Sequence, residues 1–140
     1  WESDSTGTFV GSSYAYMTAR DLARVGLLMQ RDGRWGEQQL LPKAWLDFNR
    51  TPFAAYQPVA GEAVPGAQWW LNVPVAGADK PWPAAPAETF AALGHWGQAM
   101  YVLAQQQLVI VRYADDRDHS YQHNQLLKLA LAAFAPEVAQ

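Results

Sequence analysis

The chain has 140 residues, half of them hydrophobic and only 16% charged, a balance that allows one compact domain with a sizeable core and argues against disorder. Ten basic against thirteen acidic residues give a formal net charge of -3, and no basic run exceeds a pair, so no nucleic-acid surface is expected. No apolar stretch approaches the roughly 20 residues that span a bilayer, and the absence of cysteine excludes disulfides and thiolate metal sites.

Residues 1–17, rich in Ser, Thr, Gly and Tyr, read as irregular or briefly extended. The opening Trp1-Glu2-Ser3-Asp4 has neither the basic n-region nor the apolar h-region of a secretory leader. A start at Trp1 in loop-like sequence leads us to expect a cut piece of a longer chain, with a trimmed or processed protein as the alternative. A helix is expected over 18–31, with Thr18 as N-cap and Asp21 three residues on. Leu22, Val25 and Met29 share one face, Arg20, Arg24 and Arg31 the other, and Asp32-Gly33 supplies the stop. Leu41-Pro42 opens a second, shorter helix on which Trp45 and Phe48 share a face, and Pro52 ends it.

Residues 54–86 hold six of the nine prolines and only three charges, Glu62, Asp79 and Lys80. They read as a long loop region interrupted by one strand, Gln68 to Val73, and a loop of this length in a compact domain usually serves function or flexibility. Strands follow at Thr89 to Leu93, Ala99 to Ala104 and Leu108 to Tyr113. Gln105-Gln106-Gln107 is the turn between the last two, and so short a connection makes them antiparallel. After a polar loop at Asp115 to Asp118, an apolar helix from about Ser120 to Phe134 turns Leu126, Leu127, Ala130, Leu131 and Phe134 inward. The fold class is therefore α+β, an antiparallel sheet packed against helices, including one at the C-terminus. So small a sheet leaves an open edge that natural proteins cover, and strands from a preceding part of the protein are the expected cover.

Two segments in order resemble a known family. The first is Gly11-Ser12-Ser13-Tyr14-Ala15-Tyr16-Met17-Thr18-Ala19-Arg20-Asp21-Leu22-Ala23-Arg24-Val25-Gly26, followed by Asp32-Gly33-Arg34-Trp35-Gly36. It resembles the mid-chain helix of the serine β-lactamase-like hydrolases, a family that includes class C β-lactamases, penicillin-binding proteins, esterases and 6-aminohexanoate-dimer hydrolases. The second is Leu93-Gly94-His95-Trp96-Gly97-Gln98 with the two strands after it, which resembles that family's last motif strand and closing hairpin. Trp69-Trp70-Leu71 fits the short aromatic strand between them. The Gly-x-x-Gly-Gln form is most similar to the esterase and 6-aminohexanoate-dimer hydrolase branch.

The resemblance implies the C-terminal part of a single β-lactamase-like domain spanning 1–140, with the nucleophile-bearing part missing. The family's chemistry uses Ser-x-x-Lys, Tyr-x-Asn or Ser-x-Asn, and Lys-Thr-Gly. No Ser here has Lys three residues later, and no Tyr or Ser has Asn two residues later. Only the third motif has a candidate, His95-Trp96-Gly97, in which His replaces Lys and Trp replaces Thr. By resemblance, the backbone N–H of Gln98 is one of two donors to the oxyanion of an acyl-transfer reaction, Gly97 lets substrate approach the strand, and His95 offers a hydrogen bond. Trp96, Tyr14 and Ser13 line the substrate cleft. A neutral imidazole anchors a substrate carboxylate poorly. That implies a small-molecule ester or amide rather than a β-lactam, no cofactor, and the N-terminal half of the same enzyme as partner. The family leans towards exported, periplasmic or secreted, bacterial enzymes. The alternative is a non-catalytic binding or regulatory module on the same fold.

Plainer readings stand beside these. His95 between glycines is also a turn residue, and Trp96 is as readily core or cleft wall. His119 and His123, four apart near three aspartates, suggest a metal pair, but a polar loop and helix cap is the reading we favour. Ser12 and Ser13 lack a Gly-x-Ser-x-Gly elbow, and a loop role suits them better than a Ser13, His95, Asp115 triad. The seven Trp residues show no regular spacing, so scattered core and cleft roles are expected rather than a carbohydrate-stacking surface.

Overall fold

The structure, a computed structural model, describes residues 1–11, 13, 15–57, 59, 61–75 and 79–134. Helix α1 (Ala19–Gln30) begins where the sequence places it: Thr18 accepts from the Asp21 N–H, and its hydroxyl donates to the Asp21 carboxylate at 2.7 Å. The bond from the Thr18 hydroxyl, and after it the charge of Arg24, hold the Asp21 carboxyl below its ordinary pKa. The stop is at Asp32-Gly33, both left-handed, with the Gly33 N–H bonded back to Leu28 O. The buried face, however, is Gly26 and Met29, with Val25 exposed. Gly26 is buried because α1 rests on the sheet there.

A small hairpin not expected from the sequence follows, β1 (Arg34–Trp35) against β2 (Gln38–Gln39), turned by left-handed Gly36. Helix α2 (Lys43–Asn49) is capped by Pro42 and buries Leu46 and Asn49. Trp45 and Phe48 do share a face, with ring centroids 5.6 Å apart, but it is the exposed one. Arg50 ties α2 to the end of α1 by pairing with Asp32 at 2.8 Å.

The main sheet has five antiparallel strands in the order β3 (Val64–Pro65), β4 (Trp70–Leu71), β5 (Phe90–Leu93), β6 (Ala99–Leu103), β7 (Leu108–Arg112). Of the expected strand over 68–73 only β4 forms, and β3 pairs beside it. Asn72, fully buried, explains where the strand stops. Its amide donates to the carbonyls of Trp82, Ala85 and Pro86 and accepts from the Trp82 N–H, which folds residues 80–86 onto the sheet.

Every residue of β6 is buried, as expected when helices cover both faces of a sheet. The alternation sorts them. Ala99, Tyr101 and Leu103 join Trp82, Ala91 and Leu127 in one core, while Val102 joins Met29, Leu46, Val64, Leu71 and Phe90 in the other. Helix α3 (His123–Ala133) supplies Leu127 to the first core, and α1 packs across β6 and β7 on the opposite face. Leu126 and Leu131 pack against that core as expected, whereas Phe134 is exposed. Helix α3 starts three residues later than the sequence suggests. Asp116 accepts from Ser120 and from the Tyr121 N–H, Asp118 accepts from the Ser120 N–H, and His119 is left-handed. Side-chain bonds to nearby backbone hold this stretch as a turn in competition with the helix. Among the described residues no strand pairs with the outer edge of β7.

Candidate functional site

The segment Gly94 to Gln98 is the connection between β5 and β6, closed by the Leu93–Ala99 pair and by the Gly94 N–H donating to Gln98 O at 2.7 Å. His95 to Gly97 form a single tight turn in which Trp96 (φ 53°, ψ 46°) and Gly97 (φ 74°) are both left-handed. A left-handed residue with a Cβ costs roughly 1–2 kcal/mol. Such a conformation persists where its surroundings over-determine it, and both carbonyls of the turn are held from outside. Trp96 O accepts from the Asp116 N–H at 3.0 Å. Gly97 O accepts from Arg112 Nη1 at 2.6 Å, a bond of the stronger, charge-assisted class.

Arg112 reaches the turn because it closes β7 opposite Ala99 in the hairpin register. Its guanidinium lies 3.7 Å from the ring centroid of Tyr121. The Tyr121 hydroxyl is 2.7 Å from that of Tyr101, which is 2.6 Å from Nδ1 of His123. Burial, then the bond to Tyr121, pushes the Tyr101 phenol far above the ordinary tyrosine range. Burial also raises Tyr121 and lowers His123, the latter aided by the charge of Arg112. At neutral pH the row is uncharged behind a single cation, and the Tyr101 hydroxyl shares a hydrogen bond with a neutral imidazole.

The open side of Gly97 is taken up by this chain's own atoms: a Cβ built there would meet Arg112 Nη1 at 2.6 Å and Cβ of Asp116 at 3.0 Å. The resemblance leaves that space to substrate, whereas the side chains of Arg112 and Asp116 fill it. The Gln98 N–H faces His95 O at 3.4 Å, outside the usual 2.7–3.2 Å range, so this donor is only weakly engaged. The His95 ring is exposed, 4.3 Å from that of Trp96. Trp96 is 38% exposed, which rules out a core role, and Arg117 lies 4.1 Å from its ring.

His95, Trp96, Gly97 and Gln98 are thus together in one turn. Ser13 is exposed and makes none of the described hydrogen bonds to it, and Tyr14 lies outside the described residues. The Ser13, His95, Asp115 grouping is not assembled, since the Asp115 carboxylate pairs with Arg117 Nε at 2.7 Å. His119 precedes α3, so it does not share a helical face with His123, and no group of three or more metal-ligating side chains occurs among the described residues. Sequence reasoning missed Arg112 and Asp116. Counting back from the Gln105-Gln106-Gln107 turn gives the register that places Arg112 beside the motif. A largely apolar cavity of about 390 Å³, lined by Phe48, Pro52, Phe53 and Ala67 among others, shares no residue with this turn.

No family model matches the chain. No curated protein matches it either. Among solved structures it is similar to one named "Putative 6-aminohexanoate-dimer hydrolase from Bacillus anthracis", at a TM-score of 0.60 and 22% identity, over 93% of this chain and 31% of that one. The chain therefore spans about a third of that protein's length. At this identity the likeness is one of fold alone: the chain has an α+β architecture, an antiparallel sheet packed against helices, that is similar to part of that structure.

Proposed function

We propose that this chain is the C-terminal part of a serine hydrolase that cleaves an ester or amide through an acyl-enzyme, and that the turn from His95 to Gln98 forms one side of its oxyanion site. The observation that carries the reading is the Gln98 N–H. It sits immediately before the fully buried strand β6, in a turn fixed from behind, with only a long 3.4 Å contact to His95 O. Charge builds on a carbonyl oxygen during acyl transfer, and a preorganised N–H of this kind stabilises it. The fold likeness to a protein named as a 6-aminohexanoate-dimer hydrolase supports the same chemistry.

In this reading the serine, its lysine base and the second N–H donor come from the preceding part of a longer protein, and the 140 residues alone do not turn over substrate. Strands of that part cover the outer edge of β7. An ester or uncharged amide suits the cleft better than a β-lactam. Where the family motif has a lysine there is His95, and the nearby cations are committed, Arg112 to Gly97 O and Arg117 to Asp115. Trp96, with His95 beside it, forms the cleft wall, and Ser13 lines its approach.

The test removes the donor alone. Gln98 has φ -65°, the value proline imposes, so Gln98→Pro deletes the N–H while leaving that angle unchanged. In the longer protein, Gln98→Pro is expected to lower kcat on a p-nitrophenyl ester by about 10²–10³, the usual cost of one oxyanion donor, while Gln98→Ala stays near wild type. Equal activity of the two variants would remove Gln98 from the mechanism. Rapid turnover of a chromogenic cephalosporin without ester hydrolysis would overturn the substrate class.

A further inference from the structure

The peptide group between Gly97 and Gln98 has two working ends. Its carbonyl accepts from Arg112 Nη1 at 2.6 Å, and its N–H is the donor assigned above to the oxyanion. The group is planar, and its C=O and N–H point in opposite directions, so whatever fixes the carbonyl also fixes the N–H. A cation on the carbonyl draws electron density through the amide and makes the N–H a stronger donor. Hydrogen bonds in series reinforce one another by about 10–30% each.

Arg112 is built for this. It is half-buried at the end of β7, its guanidinium is stacked on Tyr121, and the Tyr121 hydroxyl is bonded to that of fully buried Tyr101. The Asp116 N–H donates to Trp96 O, the other carbonyl of the turn, and the Asp116 carboxylate accepts from the Tyr121 N–H at 3.2 Å, which joins the two supports. Gly97 is needed because any Cβ there would displace the guanidinium.

We propose that Arg112 is a positioning residue for the hydrolytic reaction: bonded to the Gly97 carbonyl, it aims and polarises the Gln98 N–H towards the developing oxyanion without touching substrate. This rests on the hydrolase reading above, and the experiment separates the two. Arg112→Met, Arg112→Lys and Gln98→Pro are assayed in the longer protein on p-nitrophenyl acetate, with melting temperatures recorded, and the Gln98 amide proton is followed by NMR.

Arg112→Met is expected to reduce kcat by about tenfold with KM within about twofold, since only a transition-state interaction is weakened. Its Gln98 amide proton moves upfield as the bond polarisation is lost. Arg112→Lys, which keeps a cation near Tyr121, falls between wild type and Arg112→Met, and it carries the test if Arg112→Met does not fold. In Arg112→Ala, added guanidinium ion restores part of kcat. A wild-type kcat in Arg112→Met beside an impaired Gln98→Pro overturns the proposal and leaves the hydrolase reading standing. So does a raised KM at unchanged kcat, which marks a substrate contact, or an unmoved Gln98 resonance. Wild-type activity in Gln98→Pro overturns both.

Discussion

Gly26→Ala sets helix propensity against packing. In an exposed helix interior the change would stabilise by about 1 kcal/mol. Here Gly26 is buried where α1 crosses the sheet, and a Cβ would stand 2.6 Å from Val109 Cγ1 and 2.9 Å from Met100 Sδ. Carbon atoms in good contact lie about 3.5–4.0 Å apart, so about 1 Å must be found. The Met100 thioether can turn aside. Val109 cannot easily do so, because a β-branched side chain is stiff at χ1 and the residue is paired with Val102 in the sheet. The helix must therefore lift from β6 and β7, at the roughly 1–3 kcal/mol of an overpacked core. Packing wins, and the net expectation is a destabilisation of up to about 2 kcal/mol in urea unfolding. The mechanism has its own check, since Val109→Ala removes the obstructing methyl. In that background Gly26→Ala should cost at least about 1 kcal/mol less, a coupling normal for residues in contact. A stabilised Gly26→Ala, or additive effects of the two changes, would refute the reasoning.

Asn72→Ala leaves the buried Trp82 N–H without its 2.7 Å acceptor and should cost about 1–3 kcal/mol for that group alone. Limited proteolysis should then cut first within 79–86, and an unchanged cleavage pattern would show that other contacts hold that loop. His123 has its pKa lowered below the ordinary 6.5 by burial and by Arg112, with Asp116 opposing. A depressed pKa means that its contribution is intact above about pH 6.5. That contribution is lost as the pH falls through the folded-state value. Stability should drop on acidification from pH 7.5 towards 5.5, because the unfolded chain then binds a proton that the folded one resists. His123→Gln should flatten the drop, and an equally steep profile in that variant would place the titration elsewhere.

Much of the fold was legible because local rules agreed. Thr18 and Asp21 begin α1, Asp32-Gly33 ends it, and two β-rich runs joined by Gln105-Gln106-Gln107 could only pair antiparallel. Where the sequence misled, tertiary contacts overrode the local pattern. Trp45 and Phe48 are apolar and share a face, yet α2 buries Leu46 and Asn49, because Asn49 O receives the Ala67 N–H and the loop docks on that side. The expected long strand around β4 is interrupted at Asn72, a polar residue whose four partners lie at 82, 85 and 86.

The sequence by itself determined the α+β class, the order of the three helices and of β4 to β7, and the grouping of His95, Trp96, Gly97 and Gln98, since these depend on neighbours a few residues apart. Only the tertiary structure decided what holds that group. The two left-handed residues of the turn are fixed by Arg112 and Asp116, 15 to 20 residues further along the chain. Arg112 is in turn braced by an aromatic row that runs to the start of α3. Gly26 follows the same logic. As a letter in a helix it reads as a weakness, and it becomes a requirement only where α1 meets Met100 and Val109. Pairing register and close approach are properties of segments brought together, so no single segment's sequence could state them.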